Sequence, residues 1–278
     1  MNKLRHRLPV IIGVCVVIIC LSFYLHWNNT ALEVTHYTVS SGRVPESFDG
    51  YKIVQISDLH NTEFGKDNSR LLYEIRQLHP DMIVLTGDLI DSRRTNIDIA
   101  VEFAGQAAQI APVYYAPGNH EARLSDPHIL YAMLTDAGVN VLLDQSVTVW
   151  QDSDKLQLVG AVDRAPKKES ELADVLPSLL PEEDFTILLS HRPEYFDTYV
   201  LCGADLIFTG HVHGGQFRLP FIGGLFTPSQ GFFPKYDDGV FTSGKTNMVI
   251  SRGLGNSLFP FRLNNRPEIV VVTLQKVK

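Results

Sequence analysis

The sequence predicts an α/β domain carried behind one membrane-spanning helix, and three observations predict it. Leu8 to Leu25 is almost wholly apolar, broken only by Pro9, Gly13 and Ser22, and is long enough for one bilayer crossing. Residues 51–137 then repeat strand-like and helix-like apolar spacing in alternation, the pattern of a parallel or mixed sheet with helices packed on it. The C-terminal third changes character, Thr246 to Ser251 and Glu268 to Leu274 reading as strands with no helix clearly between them, so an α/β half passes into a more β-rich half.

The chain has 278 residues, 45% apolar and 20% charged, an ordinary globular mixture with room for a sizeable core. Formal charge is -7, and residues 1–30 contribute Lys3, Arg5 and Arg7 without an acid, leaving -10 on the remainder. A body that acidic is unsuited to gripping nucleic acid through its phosphates, so no nucleic-acid binding is expected. Cys15 and Cys20 lie in the apolar run and only Cys202 lies beyond it, so no disulfide can form within the rest of the chain.

Lys3, Arg5 and Arg7 precede the apolar run, and no Lys or Arg follows until Arg43. The positive-inside bias therefore expects the first residues in the cytoplasm and everything after about Trp27, an aromatic at the interface, outside the cytoplasmic membrane. A cleaved signal peptide is the competing reading. Against it, the run is longer than a usual signal core, no small-x-small cleavage site follows, and Ile19 before Cys20 does not suit a lipoprotein site. The expected division is a signal anchor over residues 1–30 and one folded domain over 31–278.

Ala31 to Gly50 reads as a strand and turn leading away from the membrane, with Val34, Tyr37 and Val39 alternating. Tyr51 to Ser57 is a strand pattern, Asn68 to Leu78 has helical spacing at Leu71, Leu72, Ile75 and Leu78, and Met82 to Thr86 is a buried strand. Ile97 to Ile110 follows as helix, Val113 to Ala116 as strand and His128 to Ala137 as helix. Val139 to Trp150 and Leu156 to Val162 each read as one strand, and Glu169 to Leu180 as an amphipathic helix. Phe185 to Ser190, Asp205 to Thr209, Thr246 to Ser251 and Glu268 to Leu274 complete the strands.

Residues able to bind a metal follow these strands in series. Ile53 to Ser57 runs into Asp58-Leu-His60, Ile83 to Thr86 into Gly87-Asp88-Leu-Ile-Asp91, and Val113 to Ala116 into Pro117-Gly118-Asn119-His120-Glu121. Phe185 to Ser190 ends in His191, and Leu206 to Thr209 in Gly210-His211-Val-His213, followed by Gly214 and Gly215. Singly, each has an ordinary reading: Asp88 or Asp91 as a helix cap, His60 or His191 as a hydrogen-bonded strand-end residue, His-x-His as a surface loop. Strand C-termini of a doubly wound sheet lie along one edge, where ligands bind. Five such ends, with glycines beside three of them, therefore point to a single metal centre.

The ordered set Asp58-x-His60, Gly87-Asp88-x-x-Asp91, Gly118-Asn119-His120-Glu121, His191 and Gly210-His211-x-His213 resembles the calcineurin-like metallophosphoesterases, over nearly all of residues 48–278. The extension of the last motif to Gln216, Ser251-Arg-Gly-Leu-Gly255, Arg266-Pro-Glu268 and the N-terminal anchor are similar to a membrane-anchored bacterial branch, many of whose members are phosphodiesterases. The resemblance implies a four-layer αββα sandwich of two mixed sheets flanked by helices, in a metallophosphoesterase domain over 31–278. It implies that Asp58, His60, Asp88 and His213 hold one divalent ion and Asp88, Asn119, His191 and His211 a second, with Asp88 bridging ions about 3.5–4 Å apart. Mixed carboxylate, imidazole and amide donors suit manganese, iron or zinc better than calcium. The two ions would bind and deprotonate a water that attacks phosphorus in line. In that scheme His120 protonates the leaving oxygen, with a hydrogen bond to substrate phosphate as its alternative, Asp91 orients the His120 imidazole, and Glu121 is structural.

The implied activity is hydrolysis of a phosphodiester by a metal-dependent phosphoric ester hydrolase. Two other readings use the same scaffold: a phosphomonoesterase or phosphoprotein phosphatase, and a membrane-tethered binding protein without chemistry. Intact ligands argue against the second, and Ser92, where phosphoprotein phosphatases often carry Arg, argues against a phosphoprotein substrate. Phe217 to Tyr236, with Phe221, Ile222, Leu225, Phe226, Phe232 and Phe233, is too apolar for an ordinary exposed loop and directly follows the last ligands. It is expected either to meet the membrane or grip an acyl chain, making a lipid-linked phosphoester the substrate, or to pack over the β-rich half.

Overall fold

The central strands are apolar at nearly every position because both of their faces are covered. The structure, a computed structural model, describes residues 2–163, 169–257 and 259–277, and the side chains of all of these except 2–6 and 8. The basic side chains of Lys3 and Arg5 therefore lie outside the described ones. In order, the chain forms α1 (Asn2–Thr30), β1 (Glu33–Ser41), β2 (Lys52–Ile56), α2 (Ser69–Gln77), β3 (Met82–Leu85), α3 (Ile97–Ala107), β4 (Val113–Tyr115), α4 (Pro127–Asp136), β5 (Asn140–Val141) and β6 (Gln145–Gln151). It continues through β7 (Asp154–Gly160), α5 (Glu169–Leu179), β8 (Thr186–Leu189), α6 (Phe196–Leu201) and β9 (Leu206–Thr209). Two small hairpins follow, β10 (Arg218–Leu219) with β11 (Gly223–Gly224) and β12 (Phe226–Thr227) with β13 (Gly231–Phe232), before β14 (Gly239–Ser243), β15 (Thr246–Ile250) and β16 (Glu268–Lys276).

Two six-stranded mixed sheets result, ordered β1-β16-β2-β3-β4-β5 and β14-β15-β9-β8-β7-β6. Alternation of side chains along each strand sorts them into three cores. Met82 and Val84 face the core between the sheets while Ile83 and Leu85 face α2, α3 and α4; in the second sheet Leu206 and Phe208 face inward while Ile207 faces α5 and α6. The layers are therefore helix, sheet, sheet, helix, the αββα sandwich expected. The last strand does not stay with the β-rich half: β16 returns to the first sheet between β1 and β2, parallel to one and antiparallel to the other.

The expected single strand over Val139 to Trp150 is instead two strands in different sheets. β5 pairs with β4 at the edge of the first sheet and β6 with β7 at the edge of the second. Asp144, at φ 52°, turns the chain between them, and its carboxylate accepts from the Val162 N–H at 3.0 Å. Apolar alternation on either side of the turn reads alike, so periodicity alone could not reveal the crossing between sheets. The helix α6 also escaped the sequence reading, being six residues long, too short to display a period.

Helix α1 runs as one element to Thr30, beyond the apolar run, and its segment Pro9–Thr30 is long and apolar enough to cross a membrane, with mean hydropathy 2.4. Side chains from Val10 to Phe23 are exposed, as a span without protein cover would be. The end of α1 is different. Asn28 is buried, its Oδ1 accepting from the Asn265 N–H, and Asn29 Oδ1 accepts from Asn256 Nδ2 at 2.9 Å and the Arg262 N–H at 3.1 Å. The guanidinium of Arg266 lies over the Trp27 ring, 4.9 Å from its centroid.

Between the sheets, Gln55 Nε2 donates to Thr86 Oγ1 and to the Thr209 carbonyl at 3.0 and 2.8 Å, tying the ends of β2, β3 and β9 together. Phe208 is fully buried beside it in the inter-sheet core. Phe208→Ala is expected to lower the unfolding free energy by about 3–5 kcal/mol, measured by chemical denaturation; a loss below about 1 kcal/mol would contradict this account of the core.

Candidate metal centre

Parallel pairing of β2 with β3 and β4, and of β7 with β8 and β9, brings the C-terminal ends of both sheets to one edge. There the backbone turns abruptly. Asp58, His60, Asp88, His211 and His213 all have φ between 48° and 69°, a left-handed region that non-glycine residues rarely adopt and that concentrates at functional sites. Cross-strand bonds hold these turns: the Asp58 N–H donates to the Gly87 carbonyl, His60 N–H to that of Asp88 and Gly210 N–H to that of His191. Two glycines permit the close approach. A Cβ on Gly118 would lie 2.3 Å from Asp88 Oδ1, and one on Gly210 2.2 Å from Asp58 Oδ2.

All seven residues expected as ligands meet here, buried. Asp58, His60 and His213 form one group able to hold a metal ion and Asp88, His191 and His211 another; a third joins His60, Asp88 and His120. His213 Nε2 lies 3.4 Å from Asp58 Oδ1 and 3.2 Å from His60 Nε2. Two imidazole nitrogens each about 2.1 Å from one tetrahedral ion would be about 3.4 Å apart, so this spacing suits one cation between them. Asp88 Oδ2 is 3.7 Å from His60 Nε2, 3.2 Å from His191 Nε2 and 3.9 Å from His120 Nε2, standing between the groups. Asn119 Oδ1 and His191 Nε2 are buried without any hydrogen-bond partner. The orphaned Asn119 Oδ1, and a His191 Nε2 that has only the Asp88 carboxylate opposite it, are what a cation would satisfy, so the residues fit a metal.

Electrostatics agree. Burial raises the Asp58 and Asp88 carboxyls, but neighbouring imidazoles more than reverse this and hold both below the usual carboxylate range. Burial pulls His120 down to about 4 and His213 to about 3, and His211 well below its ordinary value, leaving neutral imidazoles. His191 is the exception: burial lowers it, but Asp88 overrides that and lifts it to about 10. Its Nδ1 is 2.7 Å from the Thr86 carbonyl, to which it donates, so Nε2 faces Asp88 and a bound cation would replace its proton.

His120 and Asp91, the pair that the family resemblance links, lie next to each other. Asp91 Oδ1 lies 3.5 Å from His120 Nδ1, while the Ser92 N–H donates to that nitrogen at 3.0 Å and Asp91 itself is engaged by Arg93. In the neutral ring Nδ1 is thus the acceptor, and the proton sits on Nε2. Glu121 is fully buried and accepts from the backbone N–H groups of Asp88, Gly118 and Ile90 at 2.8, 2.8 and 3.2 Å, pinning two ligand-bearing loops together. Burial and Asp88 raise its carboxyl to about 7.

Several supporting residues lay outside every motif. Fully buried Arg262 donates to the carbonyls of Gly255 at 2.6 Å and Arg252 at 2.9 Å, and its Nη2 lies 3.5 Å from His213 Nδ1. Asn265 Nδ2 donates to the His213 carbonyl at 2.7 Å. On the other side His211 Nε2 is 2.8 Å from Ser229 Oγ, at the turn between β12 and β13. Arg262 and Asn265 occupy a stretch with no helical or strand period, and only proximity to the closing Arg266-Pro-Glu268 hinted at them. A cavity of about 270 Å³ opens over the cluster, with Asp88, Asn119, His120 and His211 at its base, Arg93 and Arg123 also lining it, and Phe226, Pro228 and Phe259 as apolar wall.

The family model for calcineurin-like phosphoesterases matches residues 51–215. The chain is 31% identical over 256 residues to YkuE of Bacillus subtilis (strain 168), an uncharacterized metallophosphoesterase, covering 88% of this chain and 86% of that protein. It is 29% identical over 235 residues to phosphodiesterase YaeI of Escherichia coli (strain K12), covering 81% and 82%. A transmembrane protein with metallophosphoesterase domain from Danio rerio is 28% identical over 259 residues, 88% of this chain and 57% of that one. With more than half of its length matched, including the turns that carry Asp58, Asp88, Asn119, His191 and His213, the chain belongs to the calcineurin-like phosphoesterase family.

Proposed function

We propose that this protein is a membrane-anchored, two-metal phosphodiesterase. The observation that carries the reading is Asp88, ionised and buried between two ligand groups, with His191 Nε2 3.2 Å from its Oδ2 and the buried Asn119 Oδ1 without a partner. Members of the family use a dinuclear site. Asp58, His60, Asp88 and His213 would hold one ion; Asp88, Asn119, His191 and His211 the other. Manganese, iron and zinc all suit these donors. When bound, such a pair supplies the Lewis acidity that activates water and the positive charge that offsets charge building at phosphorus.

The chain's own residues supply position and protons. His211 Nε2 lies 2.8 Å from Ser229 Oγ and 3.3 Å from Arg192 Nη1, contacts that fix the ring at the cavity wall. His120 presents its Nε2–H toward the leaving oxygen. On protonation, Nδ1 exchanges its bond from the Ser92 N–H for one to Asp91 Oδ1, already 3.5 Å away, so Asp91 stabilises the imidazolium that acts as acid. Arg93, bonded to Asp91 and to Ser257 Oγ at 3.0 Å, edges the cavity where a substrate phosphate enters.

A diester is favoured over a monoester by the likeness to phosphodiesterase YaeI, and Ser92, at the position where phosphoprotein phosphatases often carry Arg, argues against a phosphoprotein substrate. The apolar wall of Phe226, Pro228 and Phe259 favours a lipid-linked phosphoester. Residues 1–30 serve as an uncleaved signal anchor, the N-terminus cytoplasmic and residues 31–278, the metallophosphoesterase domain, outside the cytoplasmic membrane, in keeping with Lys3, Arg5 and Arg7 before the span.

Three measurements test this. With manganese added, kcat/KM for bis-nitrophenyl phosphate should exceed that for mono-nitrophenyl phosphate by about tenfold or more, about 1.4 kcal/mol; the reverse order would favour the monoesterase. His211→Ala and His213→Ala should each lose one of two bound ions by elemental analysis, Asp88→Asn should lose both, and Asp58→Ala should abolish hydrolysis; full activity of Asp58→Ala would overturn the catalytic reading. His120→Gln should retain both ions but lose about 100-fold in kcat on an alkyl diester, with a smaller loss on a nitrophenyl diester, whose leaving group needs no proton. Equal losses on the two would leave His120 a phosphate-binding group only.

A further inference from the structure

The acidic body has two segments with no acid at all. Residues 217–236 and 256–266 contain no Asp or Glu among the 31 of the chain, yet hold seven of its 15 Phe, together with Arg218, Lys235, Arg262 and Arg266. Both segments are fastened to the end of α1. The Tyr24 hydroxyl bonds Asn264 Oδ1, Asn264 Nδ2 donates to the Arg218 carbonyl at 3.2 Å, and the Arg218 N–H donates to the Leu263 carbonyl at 2.9 Å. Asn29 holds Asn256 and Arg262, as described above. With 1.5 Å of rise per residue, Tyr24, in the last turn of the apolar run, lies about 4.5 Å deeper along α1 than Trp27. The hairpin β10–β11 is thus attached at the depth where the span meets water.

What these segments present is apolar. Phe221, at the tip of that hairpin, is fully exposed, Ile222 is 59% exposed, and Phe232 and Phe233 of the next hairpin are 70% and 62% exposed. Phe221 and Phe233 have φ of 67° and 55°, unusual for bulky residues, so their outward placement is held against local backbone preference. The Phe217 ring sits 5.4 Å from that of Phe259 and 5.5 Å from that of Phe261, making the surface continuous across both segments, and Phe226 and Phe259 carry it into the cavity over the metal cluster.

We infer that this aromatic rim is seated in the same bilayer that α1 spans, so that the cavity opens at headgroup level and receives phosphodiester lipids directly from the membrane. The inference rests on reading α1 as a span and deepens the phosphodiesterase reading. A bilayer is the occupant because the rim is continuous with the end of the span, lacks acids and presents exposed aromatics with the exposed Lys235 among them, the composition of a membrane-interface surface. The chain thus docks on the membrane by two elements, and the second is the mouth of the site.

The test uses the full chain in phosphatidylcholine nanodiscs. A tryptophan is placed at Phe221 or Phe232 in a Trp27→Phe background, where Trp150 is the remaining native indole, and the acyl chains are replaced by brominated ones. Most of the added emission should be lost, while Trp150 in the parent is unaffected; unquenched emission from both positions would overturn the inference, and unquenched emission together with a cross-linked dimer would assign the rim to a second copy instead. In parallel, Phe221→Ser combined with Ile222→Ser should leave hydrolysis of soluble bis-nitrophenyl phosphate unchanged and slow that of nitrophenyl phosphatidyl ester in the same nanodiscs by about tenfold. Equal rates on the lipid for variant and parent would overturn the delivery role. Quenching in a parent that hydrolyses neither ester would refute the phosphodiesterase reading while leaving the membrane-seated rim standing.

Discussion

The site depends on keeping Asp88 ionised although its side chain is almost fully buried. Its Oδ1 accepts from the His120 N–H at 2.8 Å, its own N–H is held by Glu121, and its Oδ2 faces His60, His120 and His191. Burying a carboxylate alone is costly, and the cost is offset only by donors and cations arranged around it. Every other feature of the centre serves that arrangement. The left-handed turns aim Asp58, His60, His211 and His213 at it, and glycines at 118 and 210 let neighbouring loops close on it.

A second constraint runs from the end of α1. Asn28 and Asn29 of α1 hold the segment that contains Asn256, Arg262 and Asn265, and that segment in turn holds the His213 carbonyl and the Gly255 turn. The helix is therefore more than a tether, since its last turn is part of the folded unit. Glu33 extends the connection, pairing with Arg252 at 3.1 Å and Arg266 at 3.2 Å just after the helix ends. The opposite wall of the cavity is held by Ser229 and by Arg192, whose guanidinium pairs with Asp163 at 2.8 Å and Glu194 at 3.1 Å.

Much of this was legible in the sequence because the informative residues are local to strand ends. An apolar run such as Ile83 to Leu85 announces a strand, and the Gly87-Asp88 that follows announces a sharp turn bearing a carboxylate. The run from Val139 to Trp150 was less informative, since alternation persists on both sides of Asp144 while the chain changes sheets there. Asp91 Oδ1 lies 3.5 Å from His120 Nδ1, and the backbone N–H of Ser92, a group no side-chain motif displays, donates to that nitrogen at 3.0 Å.

What the sequence determined by itself was the alternation that builds two sheets, the apolar length of α1, and the residue types able to bind metal at five strand ends, because each is written in contiguous residues. Only the tertiary structure decided that Arg262 and Asn265 brace His213, that Glu121 joins two loops through three backbone donors, and that the phenylalanine-rich stretch 217–236 is tied at Arg218, through Asn264, to Tyr24 of α1. Those contacts join positions up to 240 residues apart, as between Tyr24 and Asn264, and hydrogen bonds across such separations leave no local pattern for a sequence to display.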